Sequence, residues 1–111
     1  MTWRVITLPE ADKDLAGLDG SQRAIVTKAV HRVAVNPLPQ TEGGYGKPLG
    51  NKGGRNLTGL LKIKLRGSGL RVVYGLRREA GEMVVVVVGV REDDEAYEVA
   101  ASRLVRYKEL L

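Results

Sequence analysis

The stretch Leu61-Lys62-Ile63-Lys64-Leu65-Arg66-Gly67-Ser68-Gly69-Leu70-Arg71-Val72-Val73-Tyr74-Gly75-Leu76-Arg77 sets the period of the fold. Leu61, Ile63 and Leu65 alternate with Lys62, Lys64 and Arg66, so a strand here has one apolar face and one cationic face. Gly67-Ser68-Gly69 is a glycine turn. Beyond it Val72, Tyr74 and Leu76 alternate with Arg71, Val73 and Gly75. Two alternating runs joined by such a turn predict a β-hairpin. That hairpin can place Arg71 on the face of Lys62, Lys64 and Arg66, with Val72 and Tyr74 toward the core.

Downstream, Glu79-Ala80-Gly81-Glu82 forms a second turn into Met83–Val90, which contains five consecutive valines, Val84 to Val88. A β-branched run that is apolar on both sides predicts a central, well-covered strand. Asp93-Asp94-Glu95 opens a last helix with the acidic start its dipole favours, and Ala96, Val99, Ala100 and Leu104 give it an apolar face. Upstream, Trp3–Leu8 predicts a first strand. Pro9 suits the first turn of a helix whose apolar face is Ala11, Leu15 and Leu18. Asp19-Gly20-Ser21 breaks it. A second helix follows from about Ser21 to Val35, striped by Val26, Val30 and Val33, and Asn36-Pro37 ends it. Pro37–Gly54 holds six glycines between Gly43 and Gly54 and predicts a long loop. The order β-α-α-β-β-β-α predicts an α+β fold: N-terminal strand, helical hairpin, antiparallel hairpin run and C-terminal helix.

The 111 residues suit one domain, residues 1–111, and the balance of 43% hydrophobic and 28% charged residues is that of a globular chain. The absence of cysteine excludes a disulfide scaffold, a thiolate metal site and a cysteine nucleophile. One histidine, His31, excludes chemistry that needs a histidine pair, and a surface or packing role is expected for it. No metal-ligand spacing is visible, so neither metal nor cofactor is expected. The apolar run Met83–Val90 is too short to cross a membrane, and Met1-Thr2-Trp3-Arg4 leads straight into patterned sequence without a signal-peptide pattern. A cytoplasmic protein with no membrane partner is expected.

The net charge is +5, and its placement is uneven. From Gly43 to Arg78 the chain carries Lys47, Lys52, Arg55, Lys62, Lys64, Arg66, Arg71, Arg77 and Arg78 and no acid. Such a basic middle points to a polyanionic partner, and nucleic acid is the first candidate. Like charges gathered on one strand face repel, and an anion between them relieves the repulsion. The cluster could bind a phosphate backbone alone. It could also stabilise the charge that develops on phosphorus oxygens in phosphodiester cleavage. A lysine surrounded by cations is expected to have a lowered pKa, which suits it to proton transfer.

The motif Lys62-Ile63-Lys64-Leu65-Arg66-x-Ser68-Gly69-x-Arg71-x-Val73-Tyr74, with Gly89-x-Arg91-Glu92 and Tyr97 downstream, resembles the RelE branch of the RelE/ParE toxin superfamily. The N-terminal pattern of a strand, Ala11-x-Lys13-x-Leu15 and Arg23 in a second helix is also similar, and the resemblance covers nearly the whole chain. It implies a twisted antiparallel sheet with two helices packed on one side and a C-terminal helix. It implies the toxin of a type II toxin–antitoxin pair. Such a toxin is a metal-independent endoribonuclease that enters the A site of the 70S ribosome and cuts mRNA by attack of the ribose 2′-hydroxyl. The partners implied are the ribosome, mRNA and a cognate antitoxin protein. By position, Lys64 corresponds to the proton-transfer lysine and Lys62 to a phosphate-binding lysine. Arg71 and Arg91 correspond to arginines that stabilise the transition state, and Tyr97 to a tyrosine that stacks on the mRNA base. Arg55 and Arg66 fall at RNA-binding positions. Some relatives carry a further basic residue where this chain has Asp93, and the Gly43–Gly54 loop is longer than in compact relatives. Two other functions fit a basic chain of this kind: a ParE-like poison of DNA gyrase, and a non-catalytic nucleic-acid-binding module acting with an antitoxin.

Overall fold

Val84–Val88 need cover on both sides, and the architecture supplies it. In the computed structural model, which describes residues 2–52, 54–65, 67–90 and 92–107, all five valines are buried. They lie on β5 (Glu82–Val90), between β1 (Arg4–Thr7) and β4 (Arg71–Arg77). β3 (Arg55–Lys64) and β2 (Lys47–Lys52) complete a five-stranded sheet in the order β1-β5-β4-β3-β2. The run from β2 to β5 is antiparallel, whereas β1 pairs parallel to β5, so the sheet is mixed rather than wholly antiparallel.

α1 (Pro9–Ala16) and α2 (Gly20–Val33) cover one face, and α3 (Asp93–Tyr107) covers the other. The local signals are those the sequence carries. Pro9 sits in the first turn of α1. Asp19 caps α2, its carboxylate accepting the Gln22 N–H at 2.8 Å. Val26, Val30 and Val33 bury the α2 stripe. Asp93, Asp94 and Glu95 occupy the first turn of α3. Arg103 then clamps α3 to the sheet: its guanidinium grips both oxygens of Asp14 at 2.6 and 3.0 Å and donates to the Val86 carbonyl at 2.7 Å.

Two features depart from the sequence reading. β2 lies inside the stretch expected to be loop. It is an edge strand, so Pro48 costs it no ladder bond on the sheet side, and a bulge between Pro48 and Gly50 hides its alternation. β3 starts at Arg55, ahead of the visible alternation, because the backbone at Gly59 turns through φ 94° and both Leu60 and Leu61 are buried after it.

Tyr74 is wholly buried, as expected of a core residue, and its hydroxyl donates to the Pro37 carbonyl at 2.8 Å. His31 is exposed on α2, and Trp3 packs partly buried against the core.

Candidate active site

β3 and β4 bring the expected cations together. In their ladder Lys64 stands opposite Arg71, and Lys62 opposite Val73, so Lys62, Lys64 and Arg71 share one sheet face. Leu61 and Ile63 pair with Tyr74 and Val72 on the other face. One register extends the row outward: Lys47 of β2 stands opposite Lys62. Arg66 and Arg91 lie outside the described residues. Arg55 is on the same strand but makes its ion pair with Glu98 of α3, at 3.9 Å, and not with the Lys62 group.

The face is not open along its length, because the first turns of α3 lie over it. The Lys62 and Arg71 side chains are 9% and 10% exposed, while Lys64 is exposed. The Lys62 ammonium donates to the Tyr97 hydroxyl at 2.9 Å and to Asp93 Oδ1 at 3.2 Å. The Arg71 Nε donates to that same Asp93 oxygen at 2.5 Å, and its Nη1 donates to the Gly69 carbonyl at 2.8 Å. Tyr97 is itself buried, and its hydroxyl end, not its ring face, meets the Lys62 ammonium, which lies 5.5 Å from the ring centroid.

This arrangement reverses the expected lysine electrostatics. Burial by itself pushes the Lys62 pKa down. The hydrogen bonds to Tyr97 and Asp93, with the charge of the carboxylate, outweigh it, and the net direction is upward. Lys62 is therefore a firmly charged group, suited to holding an anion rather than to taking a proton. Asp93 shows the complementary shift. Burial raises its pKa, but the hydrogen bonds and charges of Arg71 and Lys62 prevail and lower it. The anion that relieves the repulsion of this face is thus supplied by the chain. A single carboxylate oxygen bridges an ammonium and a guanidinium, the position a non-bridging phosphate oxygen takes between such donors.

Reasoning from sequence alone missed Asp93 as a member of this group. The sequence places it at the start of α3, and the resemblance marks it as a position where some relatives carry a basic residue, but nothing in its spacing shows that α3 sets it over β3 and β4. Among the described residues no group of three or more histidine, cysteine or acidic side chains could hold a metal. No described helix is long and apolar enough to cross a membrane.

Comparison with solved structures adds an independent line. A doubly substituted E. coli toxin RelE in the free state superposes with a TM-score of 0.73 at 28% identity, over 94% of this chain and 99% of that one. The chain is RelE-like. The same substituted RelE bound to a peptide of the antitoxin RelB is similar at 28% identity and a TM-score of 0.67, over 90% of this chain and 95% of the other. The RelE-like fold also matches the RelBE2 toxin–antitoxin complex from Mycobacterium tuberculosis, at 23% identity and a TM-score of 0.64, over 83% of this chain and 95% of that one, a likeness of fold alone. No protein-family model and no curated protein sequence matches this chain.

Proposed function

We propose that this RelE-like chain is the toxin of a type II toxin–antitoxin pair and cleaves mRNA in the ribosomal A site. The observation that carries the reading is the cationic row of Lys62, Lys64 and Arg71 on one face of β3 and β4, in a chain similar to RelE over almost its whole length. Folding alone does not require such a row.

The chemistry follows from the placement. Lys62 and Arg71 hold the scissile phosphate, and their fixed donors favour the extra charge of the five-coordinate phosphorus. Lys64, exposed beside them, takes the proton of the 2′-hydroxyl as its oxygen attacks phosphorus and the bond to the 5′-oxygen breaks. Arg71, with Arg91 as a second phosphate ligand, steadies the departing 5′-oxygen, which takes a proton from water to become a 5′-hydroxyl and leaves a 2′,3′-cyclic phosphate on the other fragment. Arg55 and Arg66 contact flanking RNA. Asp93 occupies the phosphate position, so substrate must displace its carboxylate. Movement of the first turn of α3 also uncovers Tyr97 for stacking on a base. The chain needs no metal for these steps. A cognate antitoxin is the natural second partner, since similar toxins are seen in complex with RelB.

The test is to add the purified chain to a cell-free translation reaction and, separately, to a DNA gyrase supercoiling reaction. Arrest of translation with gyrase untouched is the expected result. Inhibition of gyrase with translation intact overturns the reading in favour of a ParE-like poison.

A further inference from the structure

The glycine-rich stretch between α2 and β2 presents an exposed aromatic side chain on a rigid backbone. Close packing holds the glycine on each side of the tyrosine, Gly44 against the Leu38 backbone and Gly46 against the core residues Tyr74 and Leu61. A Cβ at Gly44 would fall 2.0 Å from the Leu38 carbonyl oxygen, and one at Gly46 would fall 2.3 Å from the Tyr74 hydroxyl and 2.5 Å from Leu61 Cδ2. These two glycines therefore serve close packing and not looseness. Backbone bonds fix the segment: Tyr45 N–H to the Asn36 carbonyl at 3.0 Å, Gly46 N–H to Leu38 at 3.0 Å and Gln40 N–H to Gly46 at 2.8 Å. Yet the Tyr45 side chain between them is left 58% exposed.

What lies beside the ring is cationic. Tyr45, Gln40, Lys47, Lys62, Ile63 and Lys64 line one cleft of about 310 Å³. The β2–β3 ladder begins with Lys47 opposite Lys62, Tyr45 lies two residues ahead of it, and on the far side of β3 Lys64 is opposite Arg71. Tyr45 therefore meets Lys47, Lys62 and Lys64 at the cleft and not through the ladder. Lys47 and Lys64 are both exposed.

We propose that this cleft is a nucleotide subsite, in which a base next to the scissile bond stacks on Tyr45 while Lys47 holds its phosphate. An aromatic face flanked by lysines is the arrangement that binds single-stranded nucleic acid. The rigid backbone places the ring at little cost in order on binding. The inference rests on the proposed RNA substrate and names a base-binding position that the catalytic residues do not supply. Tyr97 is buried, with its hydroxyl bonded to Lys62, whereas Tyr45 is open to a base in the structure as it stands.

The test uses a fluorescein-labelled, fully 2′-O-methylated oligoribonucleotide, which cannot be cleaved, and reads affinity by anisotropy. Tyr45→Ala should weaken binding about tenfold, the scale of one base–aromatic stack, while Tyr45→Phe stays close to wild type. Lys47→Gln should reduce the slope of log affinity against log salt by about 0.7, the single-strand value for one phosphate contact. An oligonucleotide lacking one base at the stacked position should erase the difference between wild type and Tyr45→Ala. Wild-type affinity in Tyr45→Ala, with the wild type binding RNA, overturns the subsite alone and leaves the ring for a protein partner. A wild-type chain that binds no free RNA overturns the subsite, while the proposed function is read separately by cleavage on translating ribosomes. Tyr45→Trp gives a second reading: its emission should be quenched by the oligonucleotide beyond the response of Trp3 in the wild type, and unchanged emission counts against stacking.

Discussion

Replacing Asp93 by Asn should make the chain less stable and a better binder of RNA at once. The carboxylate is held by two almost fully buried cations, Lys62 and Arg71, through one oxygen, while its own side chain is 40% exposed. Hydrogen bonds to charged groups contribute about 1.5–3 kcal/mol, and the solvent on the Asp93 side puts this one at the lower end, about 1–2 kcal/mol. For a domain of this length each 1 kcal/mol lost lowers Tm by about 4–8 °C. The same interaction opposes substrate, because a phosphate must remove the carboxylate before it can use Lys62 and Arg71. With the competition gone, affinity for an uncleavable oligoribonucleotide should rise about 5- to 30-fold, at about 1.4 kcal/mol per tenfold. Asp93→Glu keeps the charge and should bind like the wild type. Asp94→Asn removes the same charge from an exposed neighbour and controls for net charge. Thermal melts and anisotropy titrations at fixed salt measure both quantities. An Asp93→Asn chain with unchanged affinity, or an Asp94→Asn chain that gains as much, refutes the competition between carboxylate and phosphate.

Other outcomes follow from the same structure. The Asp93 carboxyl titrates below its ordinary value in the folded chain, so the stability it contributes is present above about pH 4 and is lost as pH falls through the native pKa. Urea midpoints measured from pH 6 to pH 2 should show a shallower acid fall for Asp93→Asn than for the wild type. The Lys62 ammonium titrates above its ordinary value, so its contribution is complete below about pH 10 and is lost only as pH rises through the native pKa. Gly46→Ala forces a methyl onto the Tyr74 hydroxyl and Leu61 and should cost about 1–3 kcal/mol by chemical denaturation, whereas Gly50→Asn, at φ 63° with open space around it, should cost less.

The elements that the sequence shows plainly are those whose residues satisfy one simple period. The β3–β4 hairpin alternates cleanly because one face meets α2 and the other carries the cations. The valine run of β5 is apolar throughout because helices cover both of its faces. β2 is obscured because an edge strand tolerates Pro48 and a bulge, both of which resemble loop. The shared face of Lys62, Lys64 and Arg71 follows from parity and the glycine turn, and the ladder places them so. The resemblance points to the positions of Asp93 and Tyr97, but their placement against Lys62 depends on how α3 crosses the sheet and is not legible in the sequence. Parity likewise gives the face of a lysine but not its pKa. A lysine among cations is expected to be depressed, but at Lys62 the hydroxyl and the acid that α3 brings to it outweigh burial and turn the shift upward. The glycines around Tyr45 suggest a loose loop in sequence, and only the contacts of Gly44 and Gly46 reveal a packed one.

The central claim is tested most directly by mapping RNA ends on translating ribosomes. A defined mRNA is incubated with ribosomes and the purified chain, with ribosomes and Lys64→Ala, and with the chain alone, and fragment ends are located by primer extension. Lys64 is exposed, so its truncation leaves the fold in place. The account predicts cuts within the A-site codon only when ribosomes are present, slowed about 10²- to 10⁴-fold in Lys64→Ala, the range for loss of a proton-transfer group. Absence of cuts with the folded wild-type chain, or cuts at an undiminished rate with Lys64→Ala, would contradict it.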